Sequence, residues 1–248
     1  MIAPREDLGG SSSAESTAPT RAEVCIVACA EAWRGDGAIL ASPMGLIPSL
    51  GARLARLTFA PDLLLTDGEA YLVDEDGRVE GWLPYAKVFT MLAAGRRHVM
   101  MGAAQIDRCG NQNISCIGAW ERPKAQLLGV RGAPGNTVNH AVSYWIPRHS
   151  RRVFVEHVDM VSGVGCDRGA VDLRVVVTNL AVLDFQTPDR VLRLRSVHPG
   201  VDVSDVLEQT GFDLVIPASV EVTREPSAAE LEIIRRLDPD NARNREVP

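Results

Sequence analysis

The sequence lacks the features that would place the protein in a membrane, on nucleic acid or in a disulfide framework. None of its apolar runs approaches the ~20 residues that a membrane-spanning helix needs. Basic residues are not in excess, and the net charge of −6 argues against a nucleic-acid backbone as partner. The five cysteines are odd in number and include no CxxC pair, and no secretory pattern opens the chain. We therefore expect a reducing, cytoplasmic environment.

The composition is that of a globular protein with one large domain. Hydrophobic residues make up 46% and charged residues 23% of the 248 positions, and a chain of this length can bury a substantial core. Residues 1–19 are rich in Ser, Ala, Pro and Gly, which predicts a disordered extension. Residues 20–248 are expected to form a single α/β domain.

Apolar spacing predicts alternating helices and strands after this extension. Thr20 and Glu23 form a capping-box pattern ahead of apolar residues at helical spacing, so a helix is expected there. A short strand in "AILAS", a second helix in "LIPSLGARLARLTF" and a strand over Leu63–Thr66 follow. Such a strand–helix–strand unit is typical of an open, mostly parallel sheet flanked by helices.

The rest of the chain carries further local patterns and no internal repeat. A turn or hairpin is expected over 74–81, a helix over 84–95 and a strand in "RHVMM". Further strands are expected in "RVFVEHVD", "LRVVVTNLAVLDF" and "VLRLRSVHPG", and helices with Ser N-caps in "SDVLEQTGF" and "SAAELEIIRRL".

A first candidate loop, "GAAQIDRCGNQN" (102–113), places glycines among amide side chains directly after a strand. Glycines let backbone N–H groups approach a ligand, and Gln105, Asn111 and Asn113 can supply directed hydrogen bonds. Alternatively, Asp107 and Asn111 bond their own backbone and the loop satisfies itself. The pattern alone leaves both interpretations open.

A second loop, "GVRGAPGNTVNH" (129–140), combines three glycines with Arg131, Asn136, Asn139 and His140. A fixed guanidinium among backbone donors could stabilise an oxyanion or enolate, or bind a carboxylate in bidentate fashion. The alternative is a tight multiple turn with a solvated arginine. Two such loops in one α/β chain favour a binding site.

Other patterns indicate structure rather than chemistry. Cys25 and Cys29 share a helical face among Val and Ala and are expected in the core, so no zinc site is predicted. Ser42 precedes Pro43 without a G-x-S-x-G elbow and is typical of a helix N-cap rather than a nucleophile.

Four segments occur in the order and at the spacings found in class I coenzyme A transferase beta subunits: "GARLARLTFAPDLLL", "GAAQIDRCGNQNISCIG", "GVRGAPGN" and "LEQTGFDL". From residue 20 to its end the chain resembles this family, in particular its glutaconate-transferase branch. It is more similar still to the steroid ring-cleaving hydrolases of the family, through "TRAEVC", "SPM", "LLTDGEA", "GRRHV", "DRCGNQNIS" and "GVRGAPGNT". The resemblance implies a CoA-transferase-like fold and an alpha subunit as partner, most simply in an α2β2 heterotetramer.

The segment "TDGE" after the strand at Leu63–Thr66 decides between transfer and hydrolysis. In the transferases that the chain resembles, this strand ends in the glutamate that becomes a glutamyl-CoA thioester. Counting from "APD" without a gap, the corresponding position is Gly68, between Asp67 and Glu69. A displacement by one residue at a strand end turns a side chain to the opposite face. The resemblance therefore implies that the transferase nucleophile is missing.

The implied activity is hydrolysis of a cyclic β-keto acyl-CoA, a cyclohexenone ring from a steroid, by water addition and retro-Claisen cleavage. The expected catalytic donors are Arg131, Gln105 and Asn136, and the base is expected from the alpha subunit. No metal and no separate cofactor is expected, because coenzyme A is part of the substrate. The residues expected to bind the substrate and its CoA are Gly102, Ala103, Asn111, Asn113, Gly129, Gly132 and Ala133.

Two other functions stay open at the level of sequence. One is a true transferase that uses Glu69 or Asp67 through a slipped register. The other is a subunit without catalytic residues, or a ligand-sensing module, on the same fold.

Overall fold

A computed structural model of the protein describes residues 18–247, apart from residues 69, 85, 88, 89, 91, 92, 94 and 95. The prediction of a disordered extension over 1–19 lies outside the described residues except at Ala18 and Pro19. Glu69 and most of the helix predicted over 84–95 lie outside them as well. Within the described part of the chain, no helix has the length and apolar composition needed to cross a membrane.

The helices follow the capping signals in most places. Thr20 and Glu23 form the predicted capping box, and Ser227 caps a later helix in the same way. The N-cap predicted at Ser204 is wrong, because Asp202 begins that helix through its own capping box. The helices of the described chain are α1 (Arg21–Glu31), α2 (Leu46–Thr58), α3 (Ala133–Asn139), α4 (Val203–Glu208), α5 (Ala228–Leu237) and α6 (Arg243–Glu246).

In the described part of the chain, the strands form one ten-stranded sheet and two small ribbons. The strands of the large sheet are β1 (Leu40–Pro43), β2 (Leu64–Thr66), β3 (Tyr71–Val73), β4 (Val79–Trp82), β5 (Arg97–Met101), β10 (Ala141–Ile146), β11 (Asp172–Thr178), β12 (Ala181–Asp184), β13 (Arg193–Val197) and β14 (Glu221–Val222). The ribbons pair β6 (Gln105–Ile106) with β7 (Gln112–Asn113), and β8 (Cys116–Ile117) with β9 (Ala125–Gln126).

The sheet has the order β14-β13-β12-β11-β10-β5-β1-β2-β3-β4. Its five central strands, from β11 to β2, run parallel, and antiparallel hairpins extend it on both sides. This arrangement confirms the predicted open, mostly parallel α/β sheet and the hairpin around 74–81.

The sequence patterns are wrong at one segment and miss a central strand. The segment "RVFVEHVD" does not join the sheet; it forms turns in which Phe154 makes one isolated bridge to Ile106 and packs in the core. In contrast, the central strand β10 was not predicted. All six of its residues are buried, so it shows no alternation of polar and apolar residues.

Each face of the sheet has its own core. The core on one face includes α1, α2 and Met100 of β5, and the core on the other includes Val99 and Met101 of the same strand. Because side chains alternate along a strand, Arg97 projects to the second face, together with Val99 and Met101. The loops that carry the candidate site pack on this second face.

Candidate active site

The candidate site lies where three parallel strands end. Because β1, β2 and β5 run in the same direction, their carboxyl ends lie side by side at one edge, where α/β sheets bind ligands. Helix α3 packs beside them, and the amide of Asn136 donates a hydrogen bond of 3.3 Å to Sδ of Met101. The loop 102–113 begins at this edge, directly after β5.

Thr66 connects the end of β2 to β1. Its Oγ1 lies 3.1 Å from the carbonyl oxygen of Ala41 and 3.3 Å from Oγ of Ser42. The same oxygen accepts a hydrogen bond of 3.1 Å from the backbone N–H of Gly68. Ser42 itself lies within strand β1, so its predicted role as a helix N-cap is wrong; Gly45 is the residue that precedes α2.

Gly68 stands at a position with no room for a side chain. Its φ of +89° is in the region that favours glycine, and a Cβ built there would lie 2.5 Å from the carbonyl oxygen of Pro43. A carboxylate could not be carried from this backbone position without moving the end of β1. The neighbouring Asp67 accepts hydrogen bonds from the backbone N–H groups of Ala70 and Tyr71, so it closes the turn into β3.

A buried guanidinium joins these strand ends to α3. Arg97 donates from Nε to Oγ of Ser42 over 2.8 Å and from Nη1 to Oδ1 of Asn136 over 3.0 Å. Burial lowers the pKa of Arg97 to about 10. His140, at the end of α3, is also buried, and burial together with the charge of Arg97 lowers its pKa to about 4. At neutral pH the cluster therefore contains one cation and one neutral imidazole.

Arg131 lies in the tight turn that leads into α3. Its φ is +46°, and Gly129, two residues earlier, has a φ of +81°. Gly132 is the N-cap residue of α3 and is exposed, whereas Ala133, the first helical residue, is buried. The side chain of Arg131 is exposed, on the same turn that positions Asn136 against Arg97.

The amide side chains of the loop 102–113 bond within the protein. Gln105 donates to Oδ2 of Asp159 over 2.9 Å and accepts from Asn113 over 2.7 Å. Asn111 donates to Asp107 over 2.9 Å and accepts from the N–H of Gly165 over 2.8 Å.

Asp107 adds an Asx-turn by accepting from the N–H of Cys109 over 3.0 Å, as the second interpretation of the sequence predicted for it. Asn111 does not bond its own backbone as that interpretation expected, because its side chain reaches Asp107 and the distant Gly165. Gly102 and Ala103, directly after β5, leave the loop accessible at the strand edge. The predicted contacts of Gln105, Asn111 and Asn113 with substrate stay predictions.

Comparisons with known proteins identify the family of the chain. The coenzyme A transferase family matches residues 86–209, which is half of the chain. The chain is also 52% identical to the cholesterol ring-cleaving hydrolase IpdB subunit of Mycobacterium tuberculosis, over 92% of its own length and 98% of that protein. It belongs to the coenzyme A transferase family.

Two further relatives are similar to this chain over most of its length. The crystal structure of Rhodococcus jostii RHA1 IpdAB contains a chain that is 51% identical, covers 94% of this protein and 100% of that chain, and gives a TM-score of 0.89. One subunit of the 3-oxoadipate CoA-transferase of Pseudomonas knackmussii is 30% identical over 87% of this chain and 92% of its own length. The predicted CoA-transferase-like fold is therefore confirmed.

Gly68 is the position that the count from "APD" predicts to correspond to the transferase nucleophile. The contact of a Cβ with Pro43 leaves no room for a side chain there. The structure thus gives a steric reason for the glycine at this position.

Three polar residues of the site carried no functional assignment in the sequence. Arg97, Ser42 and His140 come from separate segments, and only the pairing of β1 with β5 brings the first two together. Their only local signal is an arginine at the start of a buried strand, where a charged side chain requires a partner.

Proposed function

We propose that this chain is the beta subunit of a coenzyme A-dependent hydrolase that opens the last ring of a steroid-derived cyclic β-keto acyl-CoA. The relatives from Mycobacterium tuberculosis and Rhodococcus jostii with about half of their residues identical are IpdB and a chain of IpdAB, and the first is named as a cholesterol ring-cleaving hydrolase subunit. The observation on this chain that carries the proposal is Gly68, which leaves no room for the nucleophile of a transferase.

The chemistry requires water instead of a protein carboxylate. Water adds to the ring ketone and loses a proton to a base, which gives a tetrahedral oxyanion. Collapse of the oxyanion breaks the bond between this carbon and the carbon α to the thioester. The electron pair passes into the thioester as an enolate, which then takes up a proton. One water is consumed, and an open-chain acyl-CoA with a new carboxylate leaves.

Hydrogen-bond donors stabilise the enolate in this proposal. Arg131, Gln105, Asn136 and the backbone of Gly132 are the donors that we assign to it. The described network around Ser42 supplies hydroxyl, amide and guanidinium groups but no carboxylate. We therefore assign the base to the alpha subunit.

The coenzyme A moiety is placed along the loops at the strand edge. The residues that we assign to it are Gly102, Ala103, Asn111, Asn113, Gly129, Gly132 and Ala133. The chain works with an alpha subunit, as an α2β2 heterotetramer that shares the CoA ester at the interface. Acyl-CoA chemistry and five unpaired cysteines fit the cytoplasm.

Co-expression with the alpha subunit tests the proposal. The purified complex is assayed with a cyclic β-keto acyl-CoA and with linear acyl-CoA esters, in water and with added acceptor carboxylates such as acetate. We expect ring opening of the cyclic ester at a rate that acetate does not change, and no transfer of CoA to acetate. CoA transfer to the acceptor without ring opening would contradict the proposal.

A further inference from the structure

Arg97 is a buried cation whose hydrogen-bond acceptors are neutral. It is 8% exposed, and its contacts in the described structure are Oγ of Ser42 and Oδ1 of Asn136. The other buried arginine, Arg243, is held by the carboxylates of Glu23 and Asp238 at 2.9 and 3.0 Å. A buried charge without a counter-charge is costly, so the isolated state of Arg97 calls for an anion that is bound from outside.

The guanidinium retains donors for such an anion. An arginine side chain carries five N–H donors, and the two hydrogen bonds to Ser42 and Asn136 use one at Nε and one at Nη1. The remaining N–H groups, on Nη1 and Nη2, form the side of the fork that binds a carboxylate through two parallel hydrogen bonds.

His140 gives an independent indication of a missing ligand. It is 3% exposed, and neither ring nitrogen has a hydrogen-bond partner within the described chain. The other buried histidines, His98, His149 and His198, have partners at both ring nitrogens. His140 stands next to Arg97 on the neighbouring strand, because Ala141 pairs with His98 in the parallel strands β10 and β5. Buried polar groups in native proteins are almost always paired, so an unpaired imidazole next to an unbalanced arginine indicates a ligand with an acceptor oxygen.

We propose that Arg97 and His140 form a subsite that binds a carboxylate on the acyl group of the substrate. This inference rests on the proposed function, because it assigns the carboxylate to the cyclic acyl-CoA substrate. Arg97 and His140 lie at the amino ends of β5 and β10. A chain of hydrogen bonds from Arg97 through Ser42 and Thr66 connects the guanidinium to the backbone of Gly68 at the carboxyl end of β2. The two N–H groups of the fork bind the two carboxylate oxygens, and the imidazole N–H of His140 donates to one of them.

The charge balance favours a carboxylate over a phosphate of coenzyme A. Arg97 supplies one positive charge, and His140 is neutral because its pKa is lowered to about 4. A monoanion is balanced by this pair. The 3′-phosphate of coenzyme A, with nearly two negative charges, and its diphosphate, with two charges in total, would each leave negative charge unbalanced in a buried place.

Kinetics with two substrates test the subsite in the assembled complex. Arg97→Gln is compared with wild type on a cyclic β-keto acyl-CoA that carries a carboxylate side chain and on the same ester without it. We expect KM for the carboxylated ester to rise about 10–100-fold with a smaller change in kcat, and KM for the uncharged ester to stay within about twofold. Arg96→Gln, at the exposed neighbouring arginine, should leave both constants unchanged. An equal rise for both esters would overturn the proposal, because it would indicate a CoA contact or a purely structural role.

A binding measurement separates failure of the subsite from failure of the proposed function. Glutarate, a free dicarboxylate, should raise the melting temperature of the wild-type complex and have little effect on the complex with Arg97→Gln. This readout needs no turnover, so it tests the subsite even if the complex opens no ring. If Arg97→Gln fails to assemble, Arg97→Lys and His140→Phe replace it in both experiments. Glutarate stabilisation that persists in these variants, or is missing from wild type, would contradict the subsite.

Discussion

At the scale of single residues, the account depends on Gly68, which is predicted to occupy the position of the transferase nucleophile. The sequence alone located Gly68 by counting from "APD". The steric reason, a contact with the carbonyl oxygen of Pro43, depends on the pairing of β1 with β2 and could not be predicted from local pattern. The contact between Arg97 and Ser42 could not be predicted from local pattern either. The two residues lie 55 positions apart in the chain, and only the sheet joins them.

Replacement of Gly68 by alanine should destabilise the chain more than the same change at Gly37. Both positions have a positive φ, and alanine there is strained by about 1–2 kcal/mol. Only Gly68 adds a contact of 2.5 Å with backbone, since no atom lies within 4 Å of a Cβ at Gly37. Chemical denaturation of the two variants measures the difference in the free energy of unfolding. Equal losses of stability would show that the end of β1 shifts to make room for the alanine at no cost.

Arg131→Ala should lower kcat for ring opening by about 10²–10³, because it removes a donor to the developing enolate.

Glu69→Ala should retain substantial activity, since water and not a protein carboxylate attacks the ring. Arg122→Ala, an exposed arginine in a neighbouring loop, is the control and should behave as wild type. Steady-state kinetics of the assembled variants decide; an effect of Arg131→Ala on KM alone would mean that it binds substrate without stabilising the enolate.

At the scale of helices and strands, the sequence predicted those elements whose signals are local. The sequence predicts the capping box at Thr20 and the N-cap at Ser227, and the apolar face of α2 identifies that helix. Strand β10 is not predicted from the sequence, because all its side chains are buried and its pattern does not alternate. The strand predicted around Phe154 is wrong, because apolar residues also anchor loops to a core. Helix α3 is not predicted from the sequence, because it begins in a loop of glycines and a proline.

The N-terminus of α5 should give a pH-dependent contribution to stability. Hydrogen bonds from Arg224 lower the pKa of Glu230 to about 2, from an ordinary value of 4.5. A carboxylate with a lowered pKa stabilises the folded state fully above its unfolded pKa, and this contribution is lost as the pH falls from 4.5 towards 2. Glu230→Gln should therefore reduce stability by about 1.5 kcal/mol at neutral pH.

Thermal unfolding of Glu230→Gln and wild type between pH 7 and pH 2.5 measures this contribution. The gap in melting temperature should be constant down to about pH 4.5 and should narrow below it. Glu232→Gln, on the exposed side of the same helix, is the matched control and should show no gap. A gap that is independent of pH would show that the carboxylate charge does not hold α5.

At the scale of the whole molecule, the chain contributes half of a shared site. Its site has donors but no assigned base, and large apolar side chains such as Trp82 and Leu128 are 68% and 73% exposed in the isolated chain. Both features are expected of a subunit that meets an alpha subunit. The family resemblance of the sequence implies this partner. The exposed apolar surface of the chain could not be predicted from the sequence, because it depends on which side chains the fold leaves uncovered.

The isolated chain should therefore be inactive, and the alpha subunit should restore activity. Light scattering of the purified chain should show monomers or aggregates, and mixing with the alpha subunit should give a defined α2β2 species with ring-opening activity. A fully active homo-oligomer of this chain would show that the base is its own.

The most direct test of the central claim is a single turnover of the cyclic ester by the assembled complex in water labelled with ¹⁸O, followed by borohydride treatment and mass spectrometry of this chain. If water attacks the ring carbon and Gly68 leaves no nucleophile, the new carboxylate of the product carries the label. The peptide that spans residues 62–78 then carries neither label nor a carboxylate that borohydride has reduced to an alcohol. Label on Asp67 or Glu69, or reduction of either side chain to the alcohol, would contradict the account and establish a covalent mechanism of the transferase type.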